Sequence, residues 1–153
     1  MENYRKALSW ITKILKKKKI KFNVLGGLAA YSYGSKRSLW DIDLIIKNQD
    51  FKKILPDVKN QIVERPHFSK SRNWQCYFME LKYLGKTIEI GGSQNCKILN
   101  SRTKKWQKVN LLSKSTRKKV LDLNLPIIPK QQLISYKSKL NRQVDRLDIQ
   151  NIK

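Results

Sequence analysis

The chain has 153 residues, 40% of them hydrophobic and 29% charged, a globular balance with enough length for one core, so a single domain over 1–153 is expected. Its apolar runs are too short for a bilayer span, no apolar leader opens it, and Cys76 and Cys96 lack the spacing of a metal knuckle or CxxC pair; no membrane segment, no secretion, and free thiols in the cytoplasm are expected. Lys and Arg number 34 against 11 acids, a net charge of +23, which attracts polyanions, although a lysine-rich composition drifts to the same excess without selection for a partner.

Residues 2–18 place Leu8, Ile11, Ile14 and Leu15 at helical spacing, with Lys16 to Lys19 in the last turn, where cations complement the helix dipole. Phe22 to Leu25 reads as a short buried strand ended by Gly26-Gly27, and 28–34 as a short helix closed by Gly34. A polar loop, 35–40, leads to a second strand from Asp41 to Lys47. Phe51 to Leu55 suggests a short helix stopped by Pro56, and 60–72 an irregular stretch or an edge strand. Strands over 74–84 and 86–90 form a hairpin, with Gly85-Lys86 expected as a type II′ turn. A further hairpin is expected over 96–112, a basic helix or loop over 113–119, and, after Pro126 and Pro129, a helical region over 130–152. The order of elements predicts an α+β (mixed α/β) fold.

The segment 24–46 carries the chemistry. Asp41 and Asp43 alternate with Ile42 and Leu44, so both acids leave one face of a strand, about 6.5–7 Å apart. Like charges this close raise each other's pKa, and a hard divalent cation, Mg²⁺ above all, removes the conflict. The only histidine, His67, stands alone, which argues against a His-based zinc site. Gly26-Gly27 closes the preceding strand and opens a helix, where backbone without Cβ atoms admits a phosphate to free N–H groups. A lone Gly-Gly is usually a turn, and a lone Asp-x-Asp usually a solvated strand edge; the two together, in this order, describe a site for a nucleoside triphosphate.

Leu25-Gly26-Gly27 followed by Asp41-Ile42-Asp43-Leu44 resembles the signature of the nucleotidyltransferase superfamily, the DNA polymerase β-like fold. The stretch from Leu133-Ile134 through Lys137 to Arg142, Asp145 and Asp148 is similar to the tail of its small members. These include the minimal and AbiEii-like proteins and the antibiotic nucleotidyltransferases. The resemblance implies a mixed central sheet flanked by helices, with C-terminal helices. It implies transfer of a nucleoside monophosphate from an NTP to an acceptor hydroxyl, with two Mg²⁺ ions. Relatives place a third acid on a neighbouring strand. Glu89 is the candidate, flanked by Ile88 and Ile90; Glu80 is the weaker alternative, and a cross-strand ion pair with Lys82 is the competing explanation of Glu89. Many relatives have Ser where Gly27 stands, so the phosphate grip is expected to shift to Lys36, Arg37 and Ser38, with Lys137 reaching the triphosphate. Arg142, Asp145 and Asp148 read as structural residues, pairing at i,i+3 and i,i+4 spacing on the last helix.

Three basic clusters, 16–21, 102–108 and 114–119, with Trp106 as a base-stacking candidate in the second, make a tRNA-like RNA the expected acceptor. Two rivals are an antitoxin-type protein acting on a toxin partner chain and a non-catalytic basic RNA-binding module.

Overall fold

The computed structural model describes residues 1–152. Helix α1 (Glu2–Lys17) buries Leu8, Ile11 and Leu15 on one face, each worth about 1.5–3 kcal/mol. Strand β1 (Phe22–Leu25) is buried throughout and runs antiparallel to β2 (Asp41–Ile46), with α2 (Gly26–Ser32) between them. Helix α3 (Phe51–Val58) contains Pro56 instead of ending before it. Phe51, Ile54 and Val58 are all buried, and that packing carries the helix past the one hydrogen bond the proline removes.

Strand β3 (Ile62–Lys70) pairs only with β4 (Trp74–Tyr83), so the expected edge strand exists. The turn from β4 to β5 (Lys86–Gly92) is Leu84-Gly85, both at positive φ. That is a type I′ turn rather than the expected II′ turn at Gly85-Lys86, and this one-residue displacement of the turn moves every cross-strand partner in the hairpin by two residues. Strands β6 (Lys97–Leu99) and β7 (Trp106–Lys108) form the hairpin expected over 96–112. The basic segment near 113–119 is not helical: β8 (Thr116–Val120) pairs with β9 (Leu123–Ile127). Pro126 lies within β9, which meets β1 at a single residue pair, Val24 and Ile127. An edge-like ladder tolerates the missing N–H. The final helical region is two helices, α4 (Lys130–Leu140) and α5 (Gln143–Asn151), broken where Asn141 adopts a left-handed conformation (φ 51°) that Asn accepts more readily than most residues.

All nine strands join one mixed sheet in the order β7-β6-β4-β5-β2-β1-β9-β8, with β3 on the other edge of β4. Only the pairs β1–β9 and β2–β5 are parallel. Ile42, Leu44, Met79, Leu81, Ile88 and Ile90 alternate into the core with α1 and α3. Asp41, Asp43, Cys76, Phe78, Glu89 and Gly91 therefore take the opposite face. Among the described residues no helix is long and apolar enough to cross a membrane.

Candidate active site

The parallel pairing of β2 with β5 sets Asp43 opposite Glu89. With Asp41 two residues back on the same face, one carboxylate oxygen from each of the three acids lies within 4.8 Å of the others. Glu89, not Glu80, completes the set. Because the hairpin turns at Leu84-Gly85, Lys82 faces Thr87 and it is Glu80 that sits opposite Glu89; the alternative Lys82–Glu89 ion pair does not form. Burial pushes all three carboxyls above the ordinary carboxylate range. Asp43 rises furthest, because the charges of Asp41 and Glu89 add to its burial. Among the described residues none of the three has a salt-bridge partner. Three crowded hard oxygen donors, none in a salt bridge, fit a divalent cation.

The raised values carry a sign. The folded chain retains protons that the unfolded chain has released, so without a divalent ion stability falls as pH rises from the ordinary carboxylate range through the raised values. Cation binding requires the ionised forms. Mg²⁺ or Mn²⁺ is therefore expected to raise the unfolding temperature clearly at pH 8 and much less at pH 5. At a hundredfold excess over Kd the stabilisation is about 2.7 kcal/mol. Equal shifts at both pH values in a thermal melt would contradict a carboxylate-held ion.

Gly26 is at φ 62°, and a Cβ there would lie 2.1 Å from Asp43 Oδ2. Its N–H donates to the Tyr136 hydroxyl at 2.9 Å, so the phosphate cradle expected of both glycines has only the Gly27 N–H uncommitted to that contact. Gly26→Ala is expected to lose about 1–2 kcal/mol from the backbone alone, and to lose nucleotide affinity as Asp43 is pushed aside. Thermal unfolding and nucleotide titration measure the two separately.

A Cβ on Gly27 would meet Arg37 Nη2 at 2.5 Å: the guanidinium lies against the glycine. Asp148 clamps it through Nε at 2.7 Å and Nη2 at 3.0 Å. Lys36 and Ser38 are exposed and outside the cavity wall. Arg37 turns inward and its two neighbours outward, so of the three only Arg37 lines the cavity. Lys137 does line the cavity, 1% exposed, held by Asp145 Oδ1 at 3.1 Å and Asp148 Oδ2 at 3.0 Å. Arg142 forks onto Asp145 at 2.7 and 3.0 Å. The i,i+3 pair of Arg142 with Asp145 forms as the spacing predicts, and both aspartates are 0% exposed. The result is a chain of alternating charge, Arg37–Asp148–Lys137–Asp145–Arg142, with its three cations in one cavity wall. Each cation keeps at least one N–H beyond those its aspartates take.

That cavity, about 340 Å³, also contains Gly26, Gly27 and all three acids. Sequence reasoning missed four of its other residues. Trp40, 70% exposed, stands at its mouth, with the Arg37 guanidinium 5.5 Å from its ring centroid. Trp74, Phe78 and Tyr136 also line it; the Trp74 and Tyr136 rings meet edge to face at 5.7 Å, beside Gly26. Alternation along β4 was the signal: Trp74, Cys76 and Phe78 share a face with the acid side of β5. His67 lies elsewhere, 3.5 Å from Glu64, and Trp106, at the β7 edge, is 37% exposed.

No family model matches the chain, and no curated protein does. Solved structures do. A Thermotoga maritima protein assigned as a nucleotidyltransferase, TM1012, superposes with a TM-score of 0.76 at 20% identity over 98% of this chain and 92% of its own. The lincosamide adenylyltransferase LnuA, with lincomycin bound, gives 0.65 at 19% identity over 95% and 94%. ANT(2″)-Ia with adenylyl-2″-tobramycin gives 0.62 at 10% identity over 96% and 88%. The chain has the nucleotidyltransferase fold, as Gly26-Gly27 and Asp41–Asp43 led one to expect.

Proposed function

We propose that this chain is a Mg²⁺-dependent nucleotidyltransferase that moves a nucleoside monophosphate from an NTP to an acceptor hydroxyl. The observation that carries the reading is the convergence of Asp41, Asp43 and Glu89 with Gly27 and three clamped cations in one cavity. The antibiotic adenylyltransferases among the structural neighbours support the same reaction class.

Asp41, Asp43 and Glu89 would hold the divalent ions, two in this reading. Bound there, such ions would supply charge neutralisation for a triphosphate and acidification of an attacking hydroxyl. The chain's own groups do the rest. Gly27 and Arg37 receive the β- and γ-phosphates; Arg142 and Lys137 add positive charge along the same wall. The acceptor oxygen forms a bond to the α-phosphorus, the bond to the bridging oxygen breaks, and pyrophosphate leaves. The hydroxyl proton passes to Glu89 as general base. Holding Arg37 and Lys137 on buried aspartates fixes their positions before substrate arrives, which lowers the cost of organising the site.

An RNA acceptor has one observation in its favour. The clusters at 16–21 and 114–119 adjoin in space, with Lys16 Nζ and Lys21 Nζ each 3.5 Å from carbonyls of Asn124 and Ser113. They form one basic surface at the β8 edge, whereas 102–108 lies at the opposite β7 edge. No specific observation favours a toxin partner chain. Incubation with each α-labelled NTP, Mg²⁺ and either total RNA or a small-molecule extract tests the reading. Label entering an acceptor, with pyrophosphate released, is the expected result; absence of both with every NTP would overturn it.

A further inference from the structure

The two cysteines, far apart in sequence, meet in register. Strand β6 pairs with β4 at Trp74–Ile98 and Gln75–Lys97. One step further along the same antiparallel register sets Cys76 opposite Cys96. Cys96 alternates with Lys97 to share the face of Ile98, as Cys76 shares that of Trp74, so both thiols leave one face of the sheet. The backbone hydrogen bonds fix the kind of pair. The Leu99 N–H donates to the Asn73 carbonyl at 3.0 Å, and the Cys96 carbonyl accepts from the Val109 N–H, just past β7, at 3.0 Å. Counted from Asn73–Leu99, every second pair is hydrogen-bonded across the two strands, and Cys76–Cys96 falls on one that is not. Such pairs bring their Cα atoms to about 4.5 Å and their side chains closest together. A disulfide needs a Cα separation of about 4.4–6.8 Å.

Both thiols are free and buried, Cys76 8% and Cys96 1% exposed. They differ in access. Cys76 lines the cavity that holds the three acids, and Cys96 does not. Gly91 keeps the approach open: a Cβ there would lie 3.6 Å from Cys76 Sγ, and glycine supplies none. They differ in chemistry as well. Hydrogen bonding from Cys96, with the Gly92 backbone, outweighs burial and holds the Cys76 thiol below its ordinary value, whereas the bond to Cys76 and burial push Cys96 up. Cys76 is therefore both the reachable sulfur and the one with more thiolate. A buried cysteine ordinarily serves as a small apolar residue. That role requires neither cross-strand register between two of them nor a sulfur opening on a cavity.

We infer that Cys76 and Cys96 form a reversible oxidation site, at which a peroxide entering the cavity converts the two thiols to a cross-strand disulfide. The Cys76 thiolate attacks one peroxide oxygen, the O–O bond breaks, and the other oxygen leaves as hydroxide, which takes up the proton Cys76 released. Cys76 is then a sulfenic acid. The Cys96 sulfur attacks the sulfenic sulfur, the S–O bond breaks, and the departing hydroxide takes the Cys96 proton to become water. Two thiols lose two electrons and two protons in all, and hydrogen peroxide is reduced to two waters. The new bond ties β6, otherwise joined to β4 by two residue pairs, to the strand that carries Trp74 and Phe78 in the cavity wall. Exchange with external thiols reverses it. The inference stands on register and access alone and does not depend on the transferase reading.

In the test the full chain, reduced and freed of reductant, is treated with hydrogen peroxide, unfolded in N-ethylmaleimide, and its intact mass and peptides are measured. The expected result is that both maleimide sites disappear together, that one peptide links Cys76 to Cys96, and that dithiothreitol restores both thiols. Amide exchange across β6 should be about tenfold slower in the oxidised chain. C96S is expected to stop at a Cys76 sulfenic acid that dimedone traps. C76S should oxidise at Cys96 about tenfold more slowly than the parent, or slower still. Thiols that resist peroxide, further oxidation of Cys76 without a disulfide, or disulfides between chains only would overturn the inference. So would unchanged exchange across β6, or a Cys96 that reacts in C76S at the parent's rate.

Discussion

Asp41→Asn is expected to lower nucleotidyl transfer by about a thousandfold or more, about 4 kcal/mol of transition-state stabilisation, while leaving the unfolding temperature as high as that of the parent chain or higher. The two halves of this expectation come from the same crowding. In transfer, the ionised pair of Asp41 and Asp43 is what would hold a divalent ion against the triphosphate, and an amide supplies neither the charge nor the second hard oxygen. In folding, the three acids oppose one another: the charges of Asp41 and Glu89 raise Asp43, and that of Asp41 raises Glu89. Removing one charge relieves that repulsion. A residue retained for stability behaves in the opposite way, losing stability when replaced by its isostere. Glu89→Gln should lose activity comparably, and the acidic limb of its pH profile should become shallower, because the proton acceptor is gone while Asp41 and Asp43 still titrate. Purified variants assayed for pyrophosphate release and by thermal melting, each with and without Mg²⁺, give both readouts. An Asp41→Asn protein that keeps more than a tenth of the parent turnover would sink the metal assignment.

The sequence carried this part of the site because its rules are local. Alternation along a strand puts Asp41 and Asp43 on one face whatever the rest of the chain does, and the apolar flanks of Glu89 mark a strand of the same kind. What crosses between strands was less legible. A one-residue difference in turn placement, Leu84-Gly85 rather than Gly85-Lys86, exchanges Lys82 for Glu80 as the partner of Glu89. Leucine at φ 51° is a costly conformation that no propensity argument would choose. The basic segment 114–119 was read by its charge, yet it pairs as a strand because Val120, Leu125 and Ile127 are buried and the lysines need only the outer face. The C-terminal pairs were half legible. Arg142 and Asp145 do pair at i,i+3, but the left-handed residue Asn141 folds α5 back along α4 and turns Asp145 and Asp148 inward, onto a lysine eight and eleven positions earlier and an arginine more than a hundred earlier. No periodicity within one helix contains that information.

That inward turn leads to the second large effect. Lys137→Met is expected to cost about 3–5 kcal/mol at pH 7, the scale for removing one partner of a buried pair. Lys137 is the middle member of the chain of charges, and its loss leaves Asp145 and Asp148, each 0% exposed, with one arginine apiece. The pH dependence separates this from a simple packing defect. In the parent chain burial alone would raise both carboxyls. Instead both sit below the ordinary range: hydrogen bonding from Arg142 and the charge of Lys137 outweigh burial at Asp145, and bonding from Arg37 with the same lysine does so at Asp148. Groups with depressed pKa values contribute stability above the ordinary carboxylate range and lose it as pH falls through the folded-state values. Without the lysine the two carboxyls rise, and acid then stabilises the variant relative to the parent by protonating a carboxyl that has lost its partner. The deficit of Lys137→Met should therefore be largest near pH 7 and shrink steadily toward pH 4, and the triple variant Lys137→Met, Asp145→Asn, Asp148→Asn should recover part of it at neutral pH. Urea melts across that pH range measure both. A deficit constant with pH would mean that Lys137 acts through the packing of its aliphatic stem, and that the alternating charges are not what holds Arg37 against Gly27.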